Sequence, residues 1–146
     1  MAPILGSLLQ PISFPNQNLY TQKYFLRDDY LEKETELQTM VNTGQLMEAF
    51  EKFYAEDVVM VEATGDKIEG KDAAREHEKE FLGKVEAFHG AGITKITSNE
   101  EDATTMAEVW MEVTFKGMDA PIKMEQVAVK QWEGDQVKHE RFYYNA

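Results

Sequence analysis

Carboxylates are the reactive groups in which this chain is richest. Its 146 residues hold 27 Asp and Glu against 15 Lys and Arg, a net charge of −12, with three His and no Cys. Of the glutamates on stretches that read as β-strands, four are candidates to face one cavity: Glu62, Glu112, Glu125 and Glu140. Carboxylates gathered in one low-dielectric cleft cannot all ionise, so at least one keeps its proton to a higher pH. Such a carboxyl is what a general acid or base near neutral pH requires. Other chemistries are poorly served. Without cysteine there are no disulfides, thiolate metal sites or cysteine nucleophiles. The histidines are His77, His89 and His139, none at i, i+4 spacing, so no metal site is expected. No glycine-rich phosphate loop or nucleophile elbow appears, and no cofactor is expected.

Composition sets the class. Hydrophobic residues make up 42%, enough for one well-filled domain at this length. A pI near 4.6 argues against nucleic acid, whose phosphates would be repelled. No apolar run approaches the roughly 18–20 residues that span a bilayer, and a cytoplasmic protein is the expectation. Residues 1–25 stand apart as an N-terminal extension. Up to residue 27 there is no acid and three of the four prolines, and the expectation is a flexible arm. The alternative is an arm whose Leu8, Leu9, Ile12 and Phe14 pack on a partner subunit.

The elements that must position these carboxylates follow from periodicity. Leu26, Tyr30, Leu37 and Val41 recur near 3.6 residues, and Asn42-Thr43-Gly44 ends that helix. A second, short helix buries Leu46, Ala49, Phe50 and Phe53. Val58-Val59-Met60-Val61 is a strand, Thr64-Gly65-Asp66 a turn, and Lys67-Ile68-Glu69 a short return. A third helix over 71–85 carries Ala73, Ala74, His77 and Phe81 as its stripe. His77 thus reads as a packed core or rim histidine. Strands then follow at 88–98, 103–116, 122–132 and 137–144, giving an α+β layout. A two-residue turn at Gly134-Asp135 pairs Trp132 with Val137 and Val129 with Glu140. One hairpin face then carries Glu125, Val127 and Val129 with Glu140, Phe142 and Tyr144. A slip of one residue would reverse every assignment.

Three segments in order carry a resemblance: Phe53-Tyr54-Ala55-Glu56-Asp57-Val58-Val59-Met60, then Gly70-Lys71-Asp72-Ala73-Ala74, then Trp132-Glu133-Gly134 leading to Glu140-Arg141-Phe142-Tyr143-Tyr144. Together they resemble the SnoaL-like branch of the nuclear-transport-factor-2-like superfamily, over residues 26–146 as a single domain. The resemblance implies three N-terminal helices on a strongly curved antiparallel sheet, a cone with an apolar pocket. It also implies that the even positions of 103–116, Trp110 and Glu112 among them, face that pocket. The odd, apolar face would then meet a second subunit in a homodimer, since so long an apolar face is hazardous in a monomer.

The expected function is binding of a small hydrophobic molecule in the cone. Glu112 and Glu140 would be the catalytic pair of a cofactor-independent isomerase, cyclase or lyase. Tyr54, Glu62, His77, Trp110, Glu125, Phe142 and Tyr144 would surround the ligand, with the Tyr54 phenol able to donate to a developing oxyanion. The alternative is a ligand-binding or dimerising module without chemistry. Compared with limonene epoxide hydrolase, Glu112 stands where an acid belongs. Trp110 replaces the partnering arginine and Phe142 the second aspartate, so that triad is broken.

Overall fold

The computed structural model describes residues 29–145. The expected arm at residues 1–25, including Leu8, Leu9, Ile12 and Phe14, and the first-helix position Leu26 lie outside the described residues. Helix α1 (Tyr30–Asn42) starts on Asp29, whose side chain accepts from the Glu32 amide at 3.0 Å and caps the first turn. Helix α2 (Leu46–Phe53) runs straight into strand β1 (Tyr54–Val61), so the strand starts earlier than Val58. The short β2 (Lys67–Glu69) and helix α3 (Lys71–Lys84) follow. Four longer strands complete the chain: β3 (Val85–Asn99), β4 (Thr104–Phe115), β5 (Ile122–Glu133) and β6 (Gln136–Tyr143).

The six strands form one sheet in the order β2-β1-β6-β5-β4-β3. Every neighbouring pair is antiparallel except β1 and β6, which run parallel, making the sheet mixed. Local periodicity carries no information on that pairing, because the partners lie some eighty residues apart. Register shifts in β3 and in β6, and along β1 against β6, mark bulges that bend the strands around the helices. The core under the helices is apolar and aromatic: Leu37, Ala49, Phe50, Phe53, Tyr54, Val58, Met60, Ala74, Trp132 and Val137. Phe53 meets the Trp132 ring edge-on at 5.8 Å, and Phe50 stacks on Tyr54 at 4.8 Å. Among the described residues no helix is long and apolar enough to cross a membrane.

The sheet register decides which carboxylates face the helices. The hairpin turn forms where the sequence places it. Gly134 at φ 58° supplies the left-handed residue, and Glu133 pairs Gln136 and Trp132 pairs Val137. A bulge between Gln131 and Trp132 then shifts the ladder by one. Glu140 pairs Lys130, and Val129 pairs Arg141. The expected pairing of Val129 with Glu140 is therefore corrected. So is the expectation that Glu125, Val127 and Val129 share a face with Glu140 and Phe142.

Candidate active site

The inner face of the sheet is fixed by Thr105. Its hydroxyl donates to Glu34 Oε2 of α1 at 2.8 Å, and it pairs with Lys130 in β5. The ladder from Thr104 to Val113 runs without a bulge, so alternation puts the odd residues of β4 on the helix side. Thr105, Ala107 and Val113 are buried there, while Met106 and Glu108 are exposed. The expectation that the even positions face the pocket is overturned, and with it the expectation that the odd, apolar face meets a second subunit, since that face is buried under the helices. Glu112 and Trp110 lie on the outer face with Glu125, away from Glu140. Trp110 lies against Gly92, Lys123 Nζ stands 5.1 Å above the indole, and Lys123 pairs loosely with Glu125 at 3.5 Å. Glu112 and Glu140 thus do not share a cavity.

Six of the nine expected site residues do lie on the inner side: Tyr54, Glu62, His77, Glu140, Phe142 and Tyr144. Five of them fall into two hydrogen-bonded groups, and Phe142 packs against the apolar core. The inner group is built on an ammonium. Lys130 Nζ lies 2.8 Å from Glu34 Oε1 and 3.0 Å from Glu140 Oε2, with all three side chains almost fully buried. Glu34 Oε1 also accepts from Gln38 Nε2 at 2.8 Å, and the Tyr54 hydroxyl donates to Glu140 Oε1 at 2.6 Å. Trp132 Nε1 donates to Thr105 Oγ1 at 2.9 Å, so the network is closed by hydrogen bonds at both ends. Burial alone would strip the Lys130 proton, but the carboxylates of Glu140 and Glu34 outweigh it and hold the ammonium above its ordinary range. Burial pushes the Tyr54 phenol well above its usual pKa, and the adjacent Glu140 pushes further in the same direction.

The second group sits at the rim. His77 Nε2 of α3 lies 2.8 Å from Glu62 Oε1, and the Tyr144 hydroxyl donates to Glu62 Oε2 at 2.8 Å. Glu62 is mostly buried, at 18% exposure of its side chain, against 40% for His77. Burial and then the bond to Glu62 raise the Tyr144 phenol. Between the groups lies Glu78, one turn beyond the buried Ala74 on α3. Burial, then the negative charges of Glu140 and Glu62, push its carboxyl up to about 8, with Lys130 only partly offsetting them.

Glu34, Lys130, Thr105, Gln38 and Glu78 were not singled out from the sequence, although a signal was present for three. Glu34 stands four residues after Tyr30 and three before Leu37, inside the apolar stripe. Lys130 alternates with Ala128 and Trp132, and Glu78 stands four residues after Ala74. A charge within an apolar period is a candidate for a buried network. Among the described residues no group of three His, Asp or Glu is placed to hold a metal ion.

Comparison with known families agrees with this architecture. The family model for the SnoaL-like domain matches residues 32–144. The chain belongs to the SnoaL-like family. Solved structures share the fold. A proposed SnoaL-like polyketide cyclase from Mesorhizobium loti aligns at 22% identity and TM-score 0.68, over 77% of this chain and 97% of its own. A protein of ketosteroid isomerase-like fold from Catenulispora acidiphila, in complex with trimethylamine, aligns at 19% identity and TM-score 0.66, over 78% and 85%. An LEH-like epoxide hydrolase from M. tuberculosis aligns at 12% identity and TM-score 0.64, over 80% and 82%. At these identities the likeness concerns the fold. No curated protein gives a significant match. This SnoaL-like chain keeps the family's helices-over-sheet frame and fills its interior with the Glu34–Lys130–Glu140 network.

Proposed function

We propose that this SnoaL-like protein binds a small hydrophobic molecule on the inner side of the sheet and moves a proton on it without a cofactor, as an isomerase, cyclase or lyase. The observation that carries the reading is the buried Glu34–Lys130–Glu140 network with the Tyr54 phenol on Glu140. Burial and the charges of Glu140 and Glu62 push the part-buried Glu78 carboxyl up to about 8. A buried ionic network is a weak source of stability against a well-packed apolar one. Groups of this kind gather where proton transfer is needed. Within it Glu140 has both oxygens engaged by Lys130 and Tyr54, so it sets the field rather than meeting the ligand. Glu78 is the acid, and Phe142, Tyr144 and His77 line the approach. In this reading Glu112 has no part in the chemistry, since it lies across the sheet.

The ligand class is a small ketone with an acidic C–H beside the carbonyl, because a neutral carboxyl is suited to donate to a carbonyl oxygen as charge develops there. The test is NMR of labelled protein with 1-indanone as probe. Shifts at His77, Phe142 and Tyr144 are expected. Shifts confined to Met106, Val127 and Tyr143 on the outer face would contradict the reading.

The outer face itself is proposed to be covered by a second copy. Met106 and Tyr143 are about half exposed, and Val127 and Val129 lie between them across β4, β5 and β6. Met106 pairs Val129 and Val127 pairs Tyr143, with Glu108 and Arg141 beside them, and apolar side chains rimmed by charge in this way suit an association surface.

A further inference from the structure

The geometry points to His77 as the catalytic base of this site, with Glu62 as the residue that positions it and Tyr144 as the brace. The inference rests on the acid–base reading above and names the group that opposes Glu78. Glu62 follows the end of β1 and Tyr144 follows the end of β6, and these parallel strands pair at Val61 and Arg141. The two residues are therefore brought together by the one parallel joint of the sheet. Glu62 uses both oxygens, one on His77 Nε2 and one on the Tyr144 hydroxyl, each at 2.8 Å. A carboxylate accepts and does not donate, so the neutral ring carries its hydrogen on Nε2 and presents the lone pair at Nδ1. Among the described residues Nδ1 has no hydrogen-bond partner, and the side chain is 40% exposed. An orienting carboxylate behind an imidazole is the base half of a catalytic constellation.

The surroundings fit the ligand class. Phe81 lies one turn beyond His77 on the same stripe of α3 and meets Phe115 of β4 edge-on at 6.1 Å. An apolar wall therefore adjoins the base. Glu78, the next residue on α3, carries the proton that the ligand oxygen takes. The step balances as follows. Nδ1 takes the proton from the carbon beside the carbonyl, and the C–H pair becomes the new C=C bond. The carbonyl π pair moves to oxygen, which receives the Glu78 proton, leaving an enol, an imidazolium and a carboxylate. Return of the imidazolium proton to carbon, with the enol proton going back to Glu78, restores both groups. No oxidant or reductant is involved.

The test is exchange of the C–H protons beside the carbonyl of 1-indanone in D2O, followed by NMR. The intact protein is expected to accelerate exchange over buffer, and His77→Ala to lose at least about 100-fold of that, within the range general bases contribute. Glu62→Gln is expected to lose less and to move the acid limb of the pH–rate profile, a change that a purely structural role would not produce. The imidazole NMR signals of Glu62→Gln report whether His77 remains folded in place. A His77→Ala protein that exchanges at the rate of the unmodified protein, while Glu78→Gln does not, overturns the base assignment alone. No acceleration by the unmodified protein overturns the acid–base reading as well.

Discussion

Lys130 is the residue on which the interior turns. It is surrounded by Glu34 and Glu140, and neither carboxylate has water to fall back on. Replacing it with Met leaves two buried negative charges facing each other. Lys130→Met is expected to cost about 3–5 kcal/mol at pH 7, read from denaturant midpoints, and less at pH 5, where the stripped carboxylates can take up protons. An equal loss at both pH values would mean that packing rather than charge is what Lys130 supplies. Glu78 gives the second prediction. Its folded pKa of about 8 lies above the ordinary 4.5, so between those values the folded state holds a proton that the unfolded state has released. Below about 4.5 both states are protonated and nothing is lost. As pH rises toward 8 stability falls, by at most about 1.4 kcal/mol per pH unit from this group. Glu78→Gln removes that slope and is expected to be the more stable protein at pH 8. An unchanged slope would place Glu78 in solvent.

At the scale of elements, the bulges decide what a reader of the sequence can see. The Gly134 hairpin and the lengths of β4 and β5 follow from local signals, and Trp132 pairs Val137 as the turn requires. The bulge at Lys138, which β6 inserts opposite Gln131 and Trp132, has no such signal, because no glycine marks it. That one residue carried Glu140 to the side of Lys130. The direction of β4 was lost for a different reason. Glu112 and Trp110 were oriented by resemblance, whereas plain alternation of Thr105, Ala107, Val109 and Val113 gives the observed inner face. Strand β3 adds a packing test. A Cβ at Gly92 would stand 2.6 Å from Trp110 Nε1 and 2.9 Å from Cε2, so the indole occupies the space a side chain would need. Gly92→Ala is expected to destabilise by about 1–3 kcal/mol, seen as a lower melting temperature. An unchanged melting temperature would show that the indole can swing aside freely.

For the molecule as a whole, the parallel joint between β1 and β6 does the assembling. It brings Tyr54 and Met60 of β1 beside Val137 and Glu140 of β6, and it delivers Glu62 and Tyr144 together at the rim. No periodicity within either segment announces this, so the rim residues Glu62, His77 and Tyr144 are legible singly but not as neighbours, and of the inner group only Tyr54 and Glu140 are legible at all. The outer face makes its own prediction. Met106→Glu puts a charge beside Val129, next to the Val127–Tyr143 pair, and is expected to convert a dimer to a monomer in sedimentation velocity. A monomer before substitution would remove the proposed interface. The central claim, that the inner side of this sheet keeps an acid charged with its proton, rests on Glu78. Its carboxyl carbon, followed by NMR across pH 4 to 10 in the intact protein, is the direct measure. A midpoint near 8 is the result expected, and a midpoint between 4 and 5 would contradict it.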